Sequence, residues 1–185
     1  EETLALIVEK GGAGLALPGD VTDEASIKDF VAAAHDRYGR IDILHNNVGA
    51  SIAVGDKPLA QTSEAGFDAT IAVNLRGAVI TCKHVVPGMK ERGSGAIVNI
   101  SSSAAVVTNY PYVGYKAAKA GLVAFTEQLA MQMAPHGVRV NCILPGLMDT
   151  PMAVDTRVRE TGRTRAEIVA CLLYTSDAAD DLYRV

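Results

Sequence analysis

Tryptophan is absent from this chain, and aromatic residues make up only 5% of it. Bulky rings therefore do not fill the interior; abundant alanine and glycine suit helices packed closely on a sheet. Cysteine is scarce. Cys82, Cys142 and Cys171 are odd in number and far apart, which argues against a disulfide framework or a thiolate metal site and points to a reducing cytoplasm. His35, His45, His84 and His136 are scattered without metal-ligand spacing. Basic charge is not in excess: 17 lysines and arginines face 21 acidic residues, a net charge of -4. That balance argues against a nucleic-acid-binding surface. No apolar run approaches the ~20 residues of a membrane span, and no signal-peptide pattern opens the sequence, so a cytoplasmic protein without membrane contact is expected. What is present is 185 residues, 49% of them apolar, enough for the core of one domain or part of one.

Apolar periodicity gives the order of elements. Residues 1–10 read as the tail of a helix, closed by Gly11 and Gly12. Ala13–Leu17 reads as a short strand ending at Pro18-Gly19-Asp20. Ile27, Phe30, Val31 and Ala34 recur at helical spacing over Asp23–Tyr38, and Gly39 stops the helix. Ile41–His45 is a buried-type strand, and Ala50–Gln61 is loop. A long helical pattern over Ser63–Arg92 carries the stripe Phe67, Ile71, Leu75, Ala78, Cys82, Val86 and Met89, interrupted at Asn74 and Gly77. Ala96–Ile100 is a strand, Tyr112–Met133 a helix ended by Pro135 and Gly137, and Val138–Leu144 a strand. Helices and strands alternate, which predicts an α/β fold with a parallel sheet and right-handed crossovers.

Four polar or glycine clusters follow predicted strand ends: Gly19-Asp20, Asn46–Gly49, Ser101–Ser103 and Pro145-Gly146. Strand ends carry turn residues in any fold. In an open parallel sheet, however, these ends share one edge, and ligands bind in the crevice there. Near that edge Tyr115 and Lys119 stand four apart on one predicted helix, and so on one face. An ammonium close to a phenol favours the phenolate and lowers a pKa that otherwise sits near ~10, making a proton-transfer group for neutral pH. The pattern alone is weak, since a surface tyrosine beside a solvated lysine gives it too. It also occurs twice here, in Tyr112 with Lys116 and in Tyr115 with Lys119.

With Asp20-Val21, Asn46-Asn47-Val48-Gly49, Asn74, Ser102, Tyr115, Lys119 and Pro145-Gly146 with Thr150 in this order and spacing, the chain resembles the short-chain dehydrogenase/reductase family over about residues 1–170. The family's serine usually lies about thirteen residues before its tyrosine, which selects Ser102 and Tyr115 and leaves Tyr112 at the helix start or on the substrate side. The resemblance implies a partial Rossmann-like, doubly wound parallel sheet binding NAD or NADP and acting on a small alcohol or ketone. Tyr115 would be the general acid in reduction and the base in oxidation. Lys119 would lower its pKa and bond the nicotinamide ribose. Ser102 would hold the substrate oxygen. Asn74 would anchor a water in a proton relay, its helix locally distorted around it. Asp20 and Val21 would contact adenine; Asn47, Val48 and Gly49 would line the cofactor; Pro145, Gly146 and Thr150 would face the nicotinamide. In the family the Tyr115 helix pairs with its copy in a second subunit. The small residues Ala117, Ala118, Ala120 and Gly121 fit such a homodimer or homotetramer, and fit packing on the chain's own sheet equally well.

The family's Thr-Gly-x-x-x-Gly-x-Gly turn is absent, and with it the pyrophosphate cradle and the residues that choose between NAD and NADP. Against the family's strand order, the first two strands and the last one are missing. Ala13–Leu17 would lose its only neighbour and the Ile41 strand would become an exposed edge, so the chain alone is expected to be unstable or to aggregate. From Cys171 to Asp180 the sequence resembles the in-frame translation of a transposon-end adapter used in sequencing-library preparation, which implies a non-native tail over 171–185. Two other readings stand beside the oxidoreductase: a catalytically silent dinucleotide-binding or dimerising module, and a chain that binds and catalyses nothing.

Overall fold

The computed structural model describes residues 2–146 and 148–170; the tail expected to be non-native lies outside them. Helix α1 (Glu2–Glu9) has no buried residue. Helix α2 (Glu24–Tyr38) starts where Asp23 caps it, accepting from the N–H groups of Ala25 and Ser26 at 3.0 and 3.4 Å. Such a cap stabilises a helix by about 1 kcal/mol. Strand β1 (Ile43–Asn46), helices α3 (Glu64–Ile71) and α4 (Gly77–Arg92), strand β2 (Gly95–Ile100), helix α5 (Val113–Met133), strand β3 (Val138–Ile143) and helix α6 (Pro151–Thr161) follow. The three strands form one parallel sheet in the order β1-β2-β3, with Asn46 beside Asn99 and Asn99 beside Cys142.

Parallel register puts Leu44, Ile97 and Val140 in one row on one face of the sheet. That row joins Ile27 and Val31 of α2, Cys82, Val85 and Met89 of α4, and Leu129 and Met133 of α5 in a single core. The polar rungs are satisfied on the same face. Asn46 donates to Asn99 Oδ1 at 2.9 Å, and Asn99 donates to Thr126 Oγ1 at 2.9 Å. The residues between, Ile43, His45, Arg139, Asn141 and Ile143, point to the other face and are exposed. Among the described residues, the helices α2, α4 and α5 therefore cover one face.

Two expectations are corrected. Ala13–Leu17 forms no strand, and Leu15 and Leu17 are exposed. A strand exists only by pairing, and the sheet ends at β1. The stripe over residues 63–92 also shifts. A five-residue π turn, Ala72–Arg76, separates α3 from α4, and in α3 the buried positions are Gly66 and Thr70 while Phe67 is exposed. The buried face of α3 is made of small and polar residues because it packs tightly against the loop at Gly55 and the start of α5.

Candidate active site

The ends of β1, β2 and β3 lie on one edge, as their clusters predict. Past β2, Ser101 N–H donates to the Ile143 carbonyl at 2.8 Å and Ser103 N–H to the Pro145 carbonyl at 2.9 Å, so the Ser102 loop is sewn to the end of β3. Ser102 Oγ accepts from Ala104 N–H at 3.2 Å and is hydrogen-bonded to the phenol of Tyr115, one turn inside α5. Lys119 lies one turn further, its Nζ 5.5 Å from the centre of the Tyr115 ring, and donates to the Ile100 carbonyl at 2.8 Å. The overlapping pair separates: Lys116 donates to the carbonyls of Ala104 and Val107 and ties down the turn after Ser102.

Asn74 sits inside the π turn and is 1% exposed. Its amide donates to the carbonyls of Ala50 and Thr70, and its oxygen accepts from Ala50 N–H at 3.2 Å. A π turn widens the helix and lets an inward side chain reach backbone groups beside it. Gly49 closes the same corner. A Cβ there would lie 2.9 Å from Asn74 Oδ1 and 3.3 Å from Lys119 Nζ, so only glycine admits both groups. Gly49→Ala is expected to lower stability by about 1–3 kcal/mol in urea unfolding. Gly146→Ala, where a Cβ meets nothing within 4 Å, should change it by less than about 0.5 kcal/mol. Equal losses at both positions would contradict the crowding at Gly49.

Val21, Asn47, Val48 and Asn74 line a cavity of about 190 Å³ at the open β1 edge. Asp20 accepts from the N–H and hydroxyl of Thr22 at 2.8 and 2.7 Å, which hold its carboxyl below the ordinary value. Arg76 of the π turn donates to the Thr22 carbonyl at 2.8 Å and fixes this loop beside α4. Thr150 caps α6, its hydroxyl accepting from Ala153 N–H at 3.2 Å. The structure thus gathers Gly49, Asn74, Ser102, Tyr115 and Lys119 in one place, Val21, Asn47 and Val48 in an adjoining groove, and Thr150 at a helix start.

The electrostatics differ from the sequence expectation. Burial pushes the Tyr115 phenol up, and the Ser102 hydrogen bond pulls it partly back. Burial pushes the Lys119 ammonium down to about 8. Both groups are desolvated, and burial shifts each toward its neutral form.

Asp56 was invisible in the sequence, within a stretch that reads only as loop. It is fully buried, and its carboxylate accepts from the N–H groups of Gly114 and Tyr115 at 3.0 and 2.9 Å. The signal that could have found it is slight: Gly55-Asp56 facing a helix whose own cap position, Tyr112, offers no short polar side chain.

The short chain dehydrogenase family model matches residues 1–161. The chain is 38% identical over 148 residues to a 3-oxoacyl-acyl-carrier-protein reductase of Thermotoga maritima, covering 79% of this chain and 59% of that protein. It superposes on a short-chain dehydrogenase/reductase from Burkholderia xenovorans with a TM-score of 0.84 and 38% identity, covering 94% of this chain and 65% of that one. An NAD+-bound xylitol dehydrogenase gives a TM-score of 0.76 at 31% identity, covering 80% of this chain and 56% of that one. The chain therefore spans about three fifths of the length of such relatives. By sequence and by fold alike, it belongs to the short-chain dehydrogenase family of oxidoreductases.

Proposed function

We propose that this protein takes part in hydride transfer between NAD or NADP and a small alcohol or ketone. The observation that carries the reading is the Ser102–Tyr115 hydrogen bond with the Lys119 ammonium beside the same ring. In reduction, the Tyr115 phenol gives its proton to the carbonyl oxygen as the alcohol forms; in oxidation the phenolate takes it back. The Ser102 hydroxyl donates to the same oxygen and stabilises the charge that develops on it. The buried Asn74 amide holds the backbone at Ala50, and with it the wall next to Gly49 and Lys119. An ammonium has three donors and Ile100 takes one, so Lys119 has donors to offer a ribose.

The residues present fit the reacting half of a nicotinamide dinucleotide. Gly49 leaves a cradle that a Cβ would fill, and Gly146 stands open at the end of β3. Asn47, Val48, Gly49, Lys119, Pro145, Gly146 and Thr150 would hold that half, with Asp20 and Val21 toward the adenine. When bound, the dinucleotide supplies or accepts the hydride. Ala117 and Ala120 are exposed on α5 while Ala118 is buried and Gly121 packs on Leu75, so one smooth side of this helix faces outward as the surface for a homodimer or homotetramer. No helix of the described residues is long and apolar enough to cross a membrane.

The test is an NAD(P)H fluorescence titration on this chain and on one lengthened to the size of its relatives. Saturable binding by either chain is the expected result. Binding by neither would leave the oxidoreductase reading without a coenzyme and overturn it.

A further inference from the structure

The loop between β1 and α3 holds a device that the hydride-transfer reading does not use. Gly55 adopts φ +92°, and a Cβ on Gly66 would lie 2.5 Å from the Gly55 carbonyl oxygen. Glycine at both points lets the loop settle onto α3 and drives Asp56 beneath the first turn of α5. The first N–H groups of a helix have no partner within it, and the side chain of Tyr112 makes no capping bond. Asp56 supplies the cap from 58 residues upstream: Oδ1 takes Gly114 N–H and Oδ2 takes Tyr115 N–H. A carboxylate placed there also meets the positive end of the helix dipole. Oδ2 accepts further from the Ser51 hydroxyl at 3.0 Å, and Ser51 is hydrogen-bonded to Tyr110. The Tyr110 ring lies 5.6 Å from that of Tyr115, tilted by 36°. Tyr115 is thus held at its backbone by Asp56 and along its ring through Ser51 and Tyr110.

We propose that Asp56 is a positioning residue for Tyr115, fixing the phenol toward Ser102 through both contacts. This rests on the reading of Tyr115 as the proton-transfer group. Asp56 is buried and both its oxygens are engaged, so replacing one of them by an amide NH2 leaves one of the two helix N–H groups facing a donor.

The experiment is Asp56→Asn, with Asp23→Ala as a control that removes the cap of a different helix. Both are made in the full protein with 13Cζ-labelled tyrosine. Asp56→Asn is expected to lower kcat tenfold or more, to leave KM for coenzyme within about twofold, and to move the Tyr115 resonance. Asp23→Ala should lower the melting temperature without moving that resonance or kcat. If Asp56→Asn only lowers the melting temperature, Asp56 is a plain helix cap and the proposal falls. If Asp56→Asn does not fold, Ser51→Ala decides: it cuts the relay from Asp56 to Tyr110 and leaves both helix N–H bonds to Asp56 in place, and an unmoved Tyr115 resonance with unchanged kcat overturns the proposal. The resonance needs no turnover, so it reports on Asp56 even if Tyr115→Phe retains activity and the functional reading is what fails.

Discussion

Tyr115→Phe is expected to abolish turnover and to spare coenzyme binding. The substitution keeps the ring, and so keeps the packing on Tyr110 and the contact with Lys119 Nζ. It removes the hydroxyl that Ser102 meets. General acid–base groups contribute roughly 10²–10⁴-fold to a rate, and a loss in that range is expected here. Coenzyme affinity, read by fluorescence, should stay within about threefold, because no dinucleotide contact is assigned to the phenol alone. Folding should weaken by about 1 kcal/mol, the worth of one hydrogen bond in a buried place. Turnover near the unsubstituted rate would remove Tyr115 from the chemistry.

The same phenol sets the direction of the pH dependence. Burial raises its pKa, so the ligand-free protein holds it protonated through neutral pH. Protonated phenol is the form that reduction needs. Oxidation needs phenolate, so its rate should climb as pH rises toward the alkaline range while reduction does not. A stopped-flow pH series in both directions reads this; two profiles that rise together would contradict a single shared group.

Local patterns made most of the scaffold readable. Asp23 before an amphipathic run, Gly39 after it, and the short apolar segments of β1, β2 and β3 are signals of a few residues each, and the structure places those elements within one or two positions. Ser102, Tyr115 and Lys119 stand out through the family resemblance, whose thirteen-residue spacing chooses Tyr115 over Tyr112, and the structure brings the three side chains together. Three features were not legible. Ala13–Leu17 is apolar enough for a strand, but a strand is completed by a neighbour elsewhere in the chain. The face of α3 was misplaced because periodicity follows apolar side chains, whereas its buried face is Gly66 and Thr70, chosen for closeness rather than hydrophobicity. Asp56 gave no sign because its meaning lies in contacts 58 and 59 residues away. A capping pattern is visible only when cap and helix are adjacent in sequence.

Lys119 carries the other large effect, and there stability and activity should move in opposite directions. It is 4% exposed, and burial has brought its ammonium from an ordinary 10.5 to about 8. That gap corresponds to about 3 kcal/mol of penalty on holding the charge inside the fold. Below pH 8 both folded and unfolded chains carry the proton, and the fold bears the whole penalty. Between about 8 and 10.5 the unfolded chain binds the extra proton, so stability rises with pH across that window and levels off above it. Lys119→Met removes the charge and fills the space with a side chain of similar length. It leaves the Ile100 carbonyl without its donor, which offsets about 1 kcal/mol. The net expectation is a protein more stable by about 1–2 kcal/mol at pH 7, with the rise between pH 8 and 10.5 flattened. If Lys119 serves the proposed reaction, turnover should fall by ~10² or more, because the residue beside both the Tyr115 ring and Gly49 has lost its donors. Urea unfolding at pH 7 and pH 10 supplies the test. A variant less stable at pH 7, or one with the same pH slope as the parent, would show that Lys119 is held there without strain. A stabilised and inactive variant would mean that the fold tolerates a buried charge at this position because the chemistry requires it.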